Sequence, residues 1–140
     1  MVVVDGQGIP LGVHLDSASP AEVTLVAPTL KTIAVPRAGP GRPRQNPDRL
    51  IADRGYDSDP LRQRLARQGI DLIVPHRKNR KKPPTQDGRK LRRYQRRWKV
   101  ERTFSWLSTF RRLVVRWDYS LKMYLAFFHL ACLIITLRRL

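Results

Sequence analysis

The sequence predicts an α/β fold. Short apolar, β-branched runs are cut off by Gly or Pro, which is the mark of buried strands. Between them lie segments whose apolar residues recur at helical spacing behind capping residues. In chain order the elements read strand, strand, helix, strand, helix, strand, an alternation that packs helices against a sheet. Further helices follow.

The first pair is a hairpin. Val2–Val4 is a β-branched run, Asp5-Gly6-Gln7-Gly8 is a turn, and a second apolar run extends from Ile9 to Leu15. Asp5 reads as a turn residue. Ser19-Pro20-Ala21-Glu22 predicts a helix start, with Ser19 as cap, Pro20 in the first turn and Glu22 closing a capping box. That helix should end near Leu30–Ile33, before the Pro/Gly/Arg-rich loop from Pro36 to Pro47. Arg49 to Asp53 reads as a buried strand ending on an acid. Ser58-Asp59-Pro60 begins a helix with Leu61, Leu65 and Ile70 on its apolar side, stopped by Gly69, and Ile70–Val74 is the next strand. A helix from about Lys90 to Phe110 should turn Val100, Phe104, Leu107 and Phe110 to the core, with Arg111-Arg112 closing it. A last helix, Ser120 to about Arg139, is apolar nearly all round and should be deeply packed.

Charge divides the chain. The net charge is +17 in 140 residues. Residues 1–75 carry nine Lys/Arg and eight Asp/Glu, whereas residues 76–140 carry nineteen and three. Solubility does not require that asymmetry; a half that touches phosphates does. Residues 76–97 hold eleven Lys/Arg and a single acid, Asp87, and Pro83-Pro84 with Asp87-Gly88 forbid one continuous helix there. A solvated basic loop, residues 76–93, is expected, with Arg77, Lys78, Arg80, Lys81 and Lys82 as DNA contacts.

The single cysteine, Cys132, cannot form an internal disulfide, and no zinc-ligand spacing is present. The N-terminus lacks a signal peptide's charged start and apolar core. Both point to the cytoplasm. Met123 to Leu137 is the longest apolar stretch, fifteen residues interrupted by His129 and Thr136. A bilayer span needs roughly 20 apolar residues, so a core helix is the better reading and no membrane association is expected. A basic membrane-surface protein built on that helix is the competing class.

Two acids are candidates for chemistry. Asp53 ends a strand, where ligands of α/β sheets collect; the alternative is a cap on the following turn. Glu101 sits among Arg96, Arg97, Lys99 and Arg102, where an ion pair is the commoner role. On a helix, Tyr94, Arg97, Glu101 and Ser108 fall at i, i+3, i+7 and i+14 and share one stripe. A hydroxyl and a forked guanidinium beside a carboxylate suit phosphate recognition next to a metal. Mg2+ favours oxygen ligands, and phosphoryl transfer commonly uses two such ions about 4 Å apart. Two carboxylates are short of that ligand set. His14, His76 and His129 have no nucleophile partner, and the glycines match neither a P-loop nor a dinucleotide fingerprint.

Three stretches resemble the DDE transposases of bacterial insertion sequences, in particular the insertion-sequence-five (IS-five) family: VVVDGQGIPLGVHLDSASPAE, LIADRGYDSDPLR, and the segment from YQRRWKVERTF to IITLRR. The resemblance implies an incomplete RNase H-like core, a mixed sheet with flanking helices that lacks its first strand, spanning residues 1–140 and followed by C-terminal helices. It implies metal-dependent DNA cleavage and strand transfer with Mg2+ (or Mn2+), and it maps the second catalytic Asp to Asp53 and the catalytic Glu to Glu101, both as metal ligands. The related signature runs Tyr, Arg three on, Glu four further, Lys seven further. Tyr94, Arg97 and Glu101 match as DNA-contacting and catalytic positions. Ser108 stands at the Lys, and Arg111 or Arg112 are the candidates to replace that DNA contact.

In the family the first catalytic Asp lies on a strand before the hairpin. Asp5 and Asp16 fall in other elements. The expectation is a second-frame segment that works with an N-terminal transposase segment supplying that Asp, on DNA ends and target, as a homodimer. A catalytically inactive DNA-binding remnant is the alternative.

Overall fold

The computed structural model describes residues 1–17 and 19–139. β1 (Val2–Val4) and β2 (Pro10–Val13) form the antiparallel hairpin, with the register slipping between Val3 and Val4. Asp5 is the turn residue expected: its Oδ1 accepts from the backbone N–H of Gln7 and of Ile9 at 2.7 and 2.8 Å. Gly8 closes the turn at φ +86 with Thr103, Arg102 and Lys99 crowding the space where a Cβ would stand, so the position needs glycine on two counts.

α1 (Glu22–Lys31) begins later than Ser19-Pro20 predict. Ala21 is extended at ψ 132 and occupies the cap position without a side-chain bond, so the capping box does not form. Glu22 then sits in the first turn, where a carboxylate suits the helix dipole. β3 (Arg49–Ile51) and β4 (Asp71–Ile73) pair in parallel, and α2 (Asp59–Arg67) crosses between them. Ser58 caps α2 through Leu61 N–H.

The strands do not form one mixed sheet. They make two separate two-stranded ribbons, β1-β2 and β3-β4. Between the ribbons runs a cleft of about 930 Å³ lined by β1 on one side and residues 46–53 on the other. Among the described residues neither β1 nor β3 pairs with a second strand.

The expected long helix is broken into α3 (Gly88–Leu91), a 3₁₀ stretch (Arg92–Arg97) and α4 (Trp98–Leu107). Arg89, Lys90, Arg92, Arg93, Arg96 and Arg97 would stack like charges at i, i+3 and i+4 on an α-helix. The 3₁₀ stretch holds only Arg92, Arg93, Arg96 and Arg97 of these, over a rise of about 2.0 Å per residue rather than about 1.5 Å. Arg111-Arg112 do not close α4. They open α5 (Arg111–Val114), after a break at Phe110 (φ −88, ψ 102).

Two cores hold the chain. One joins Val26, Leu30 and Ile33 of the α1 region to Leu61, Leu65, Ile70, Leu72 and Val74. The other joins Val13 and Leu107 to Phe128, Ala131 and Ile135 of α6 (Leu121–Leu137). Val2 packs on the second core and Val3 on the first, so α1 covers one face of the hairpin and α4 with α6 the other, while α2 packs on β4. α6 is not deeply packed. Met123, Leu130, Leu133 and Leu137 are about half exposed or more, because the two neighbours of α6 cover one side only. No described helix is long and apolar enough to cross a membrane.

Candidate active site and nucleic-acid surface

Asp53 follows β3 directly. Ala52 N–H still bonds Ile73 O at 3.2 Å, so the parallel pairing continues to the residue before it. The Asp53 Oδ1 accepts from Gly55 N–H at 2.7 Å and caps the 3₁₀ turn Arg54–Tyr56. A Cβ at Gly55 would lie 2.9 Å from that oxygen, so glycine there preserves the carboxylate's position. Asp53 is half-buried and lines the cleft. Arg93, Arg96, Arg97 and Lys99 line the same cleft. Glu101 is exposed, and its Oε1 pairs with Arg97 Nη2 at 2.5 Å. Arg97 in turn lies 5.9 Å from the Tyr94 ring centroid. The Tyr94–Arg97–Glu101 stripe therefore exists, across the 3₁₀-to-α junction. Ser108, at its far end, donates to Ser105 O at 2.7 Å. Among the described residues no three His, Cys, Asp or Glu stand close enough to hold a metal ion.

The basic segment after β4 is anchored rather than loose. Asp57, whose side chain is 2% exposed, accepts from Arg62 Nη2 at 2.8 Å, from His76 Nδ1 at 3.0 Å and from Arg77 N–H at 2.9 Å. Burial pushes its carboxyl up, but the bonds from Arg62, Arg77 and His76 outweigh it and hold the pKa at about 2. His76 Nε2 accepts from Thr85 N–H at 3.0 Å. The ring is thus placed as the Nδ1–H tautomer, donating to Asp57. Arg62 also donates to Leu72 O and Val74 O, so one hub ties the end of β4, α2 and the basic segment together.

The cations of that segment divide accordingly. Arg80, 13% exposed, pairs with Asp59 at 2.9 Å and donates to Lys82 O and Pro83 O. Arg77 donates to Gly55 O at 2.8 Å. Arg80, expected to be a solvated DNA contact, is engaged within the fold, whereas Arg77 remains exposed apart from this bond. Lys78 and Lys81 are exposed, and Lys82 is 75% exposed at 3.6 Å from Asp59. Arg111 and Arg112 are exposed, with Arg112 over the Phe127 ring at 5.0 Å.

α4 grips the hairpin turn with side chains that pattern reading did not single out. Lys99 Nζ bonds Gly6 O, Arg102 Nη2 bonds Gln7 O at 2.5 Å, and the buried Thr103 hydroxyl donates to Gly8 O at 2.6 Å. Arg102 lies between the rings of Trp98 and Trp106, 4.8 Å from each. The spacing of Trp98, Arg102 and Trp106 at i, i+4 and i+8 was the available signal. Asp57 offered only its place among the acids before α2.

Residues 1–136 match the family described as Transposase DDE domain. The chain is 38% identical over 141 residues to a Burkholderia cepacia protein described as a transposase for insertion sequence element IS402, taking in 99% of this chain and 63% of that protein. It is 35% identical over 91 residues to a Brucella ovis protein described as a transposase for insertion sequence element IS6501, taking in 64% of this chain and 67% of that protein. The chain thus spans less than two thirds of the first relative's length. No solved structure matches it.

Proposed function

Because the chain belongs to the transposase DDE domain family, we propose that residues 1–140 are the partial catalytic domain of an insertion-sequence transposase of the IS-five type, with residues 76–93 as a basic loop within it. Its reaction is metal-dependent cleavage of element ends and strand transfer to target DNA, carried out once another transposase segment supplies the first catalytic Asp. The core is RNase H-like when that segment is in place. The observation that carries this reading is the position of Asp53, at the end of β3 on a cleft that Arg93, Arg96, Arg97 and Lys99 also line. A carboxylate in a cleft with phosphate-attracting cations is what phosphoryl transfer on DNA requires.

Carboxylate oxygens are the donor type that Mg2+ or Mn2+ takes, and Asp53 and Glu101 are the proposed ligands. By themselves they do not make a site. Asp53 already accepts from Gly55, and Glu101 from Arg97. The metal belongs to the completed assembly. Tyr94 and Arg97 would bind a phosphate beside Glu101, with Lys78, Lys81, Lys82, Arg111 and Arg112 as DNA contacts alongside. Two copies would pair in the working assembly, in the cytoplasm. Met123, Ala126, Leu130, Leu133 and Leu137 are exposed at alternating three- and four-residue steps, the spacing that helix pairing uses.

The test joins this chain to the portion of the IS402 relative that lies outside the match. Asp53→Ala or Glu101→Ala should lower end cleavage by about three orders of magnitude, about 4 kcal/mol of barrier, while end binding in a gel-shift assay holds. Unchanged cleavage overturns the ligand assignment. A second reading, an inactive DNA-binding remnant, draws on the local structural roles that both acids fill. Mg2+-dependent nicking by this chain alone would refute it.

A further inference from the structure

We propose that Glu22 and Tyr56 are positioning residues: they form a clasp between α1 and the 3₁₀ turn Arg54–Tyr56 that fixes the carboxylate of Asp53. The proposal rests on the transposase reading for what Asp53 does. The clasp itself stands on its geometry.

Asp53 takes its orientation from that turn. Its Oδ1 accepts from Gly55 N–H at 2.7 Å, and Tyr56 N–H donates to Asp53 O at 3.1 Å. The turn is three residues long, with Arg54 and Gly55 exposed. So short a 3₁₀ piece holds its shape through its surroundings rather than through its own bonds. Tyr56 supplies them. Its ring packs against the first core. Its hydroxyl donates to the carboxylate of Glu22, in the first turn of α1. Glu22 closes no capping box; its side chain turns to Tyr56 instead.

Glu22, Asp53 and Tyr56 line the same cleft. Burial first, then the bond and charge of Glu22 and the charge of Asp53, push the Tyr56 phenol well above its ordinary range. The phenol is thereby kept as a donor, tied to one carboxylate and ending the turn that the other caps. Among the described residues no three His, Cys, Asp or Glu stand close enough to hold a metal ion, so the effect of Glu22 on Asp53 runs through Tyr56. A displacement of about 1 Å at a reacting group can cost about 100-fold in rate, which is the scale on which such a clasp acts.

Two measurements test it. In the full 140-residue chain, without DNA or metal, Tyr56→Phe keeps the ring and removes the hydroxyl. Amide hydrogen exchange at Gly55 and Tyr56 should then run about tenfold faster. In the chain joined to the unmatched portion of the IS402 relative, Tyr56→Phe and Glu22→Ala should each slow end cleavage at least about tenfold, with end binding in a gel-shift assay unchanged. Glu22→Gln keeps an acceptor oxygen and should restore most of the rate. The variant carrying both Tyr56→Phe and Glu22→Ala should be no slower than either alone, because both break one bond. Circular dichroism checks that each variant is folded. Effects that multiply, a wild-type rate in Tyr56→Phe, or an unchanged Gly55 amide overturns the clasp. If cleavage still requires Asp53 in that case, the transposase reading stands without it. A loosened Gly55 amide with Asp53-independent cleavage reverses the outcome: the clasp holds the turn, and the role given to Asp53 fails.

Discussion

Asp57→Asn removes the charge at the hub that fastens the basic segment to the fold. The carboxylate is 2% exposed and faces Arg62 and Arg80, 12% and 13% exposed, at 2.8 and 3.7 Å. Taking one partner from a buried ion pair costs about 3–5 kcal/mol. Asparagine keeps one acceptor oxygen, so the lower figure, about 3 kcal/mol, is expected at pH 7. The pH dependence has a definite sign. The folded pKa, about 2, lies below the ordinary value of 3.8. The charged form's contribution is therefore complete above about pH 5 and is lost as pH falls through the folded pKa. Nearly two pKa units correspond to about 2 kcal/mol in all, of which about 1 kcal/mol is gone by pH 3. Urea unfolding followed by circular dichroism should give a gap of about 3 kcal/mol between wild type and variant at pH 7, narrowing by about 1 kcal/mol at pH 3. Trypsin should also cut faster between residues 77 and 82 in the variant. A gap under about 0.5 kcal/mol at pH 7, the range of ordinary surface changes, or one that is equal at both pH values, would refute the hub.

Other outcomes follow from the same contacts. Replacing Lys78, Lys81 and Lys82 by Ala should flatten the slope of log binding constant against log salt by about 2.7 for duplex DNA, about 0.9 per phosphate contact; fluorescence anisotropy across a salt series measures it, and an unchanged slope moves the DNA path elsewhere. Thr103→Val leaves Gly8 O without its buried donor and should cost about 1–3 kcal/mol in thermal unfolding; an unaltered midpoint would show that α4 does not depend on that bond. Burial pushes the Cys132 thiol from 9.0 up to about 11. Alkylation at pH 8 should then run about 100-fold slower than for a free cysteine, and faster again in urea. Equal rates in buffer and in urea would contradict the packing of α6.

What the sequence made legible was local. The Asp5 turn, the strands before Asp53 and after Gly69, and the Ser58 cap each depend on residues within a few positions of one another, and all appear in the structure. What it hid depends on distant partners. Asp57 gathers Arg62, His76 and Arg77 from up to 20 positions away, and nothing in the pattern of acids before α2 separates it from Asp53 or Asp59. Arg77 and Arg80 were indistinguishable from Lys78, Lys81 and Lys82 by composition. Guanidinium geometry separates Arg80, because a planar fork can satisfy two carbonyls and a carboxylate at once. The change from 3₁₀ to α at Trp98 falls inside a charge run, which apolar periodicity does not count.

The misplacement of Phe104 has a different origin. Its spacing with Val100 and Leu107 marks one apolar face, yet Leu107 is 4% exposed and Phe104 is 49% exposed. Propensity cannot separate two residues one turn apart on the same helix; only what lies beneath each can. Beneath Leu107 are Val13 and α6. Beneath Phe104 is the cleft. Burying the remaining half of a phenylalanine side chain contributes about 1 kcal/mol, and Val100 adds to it.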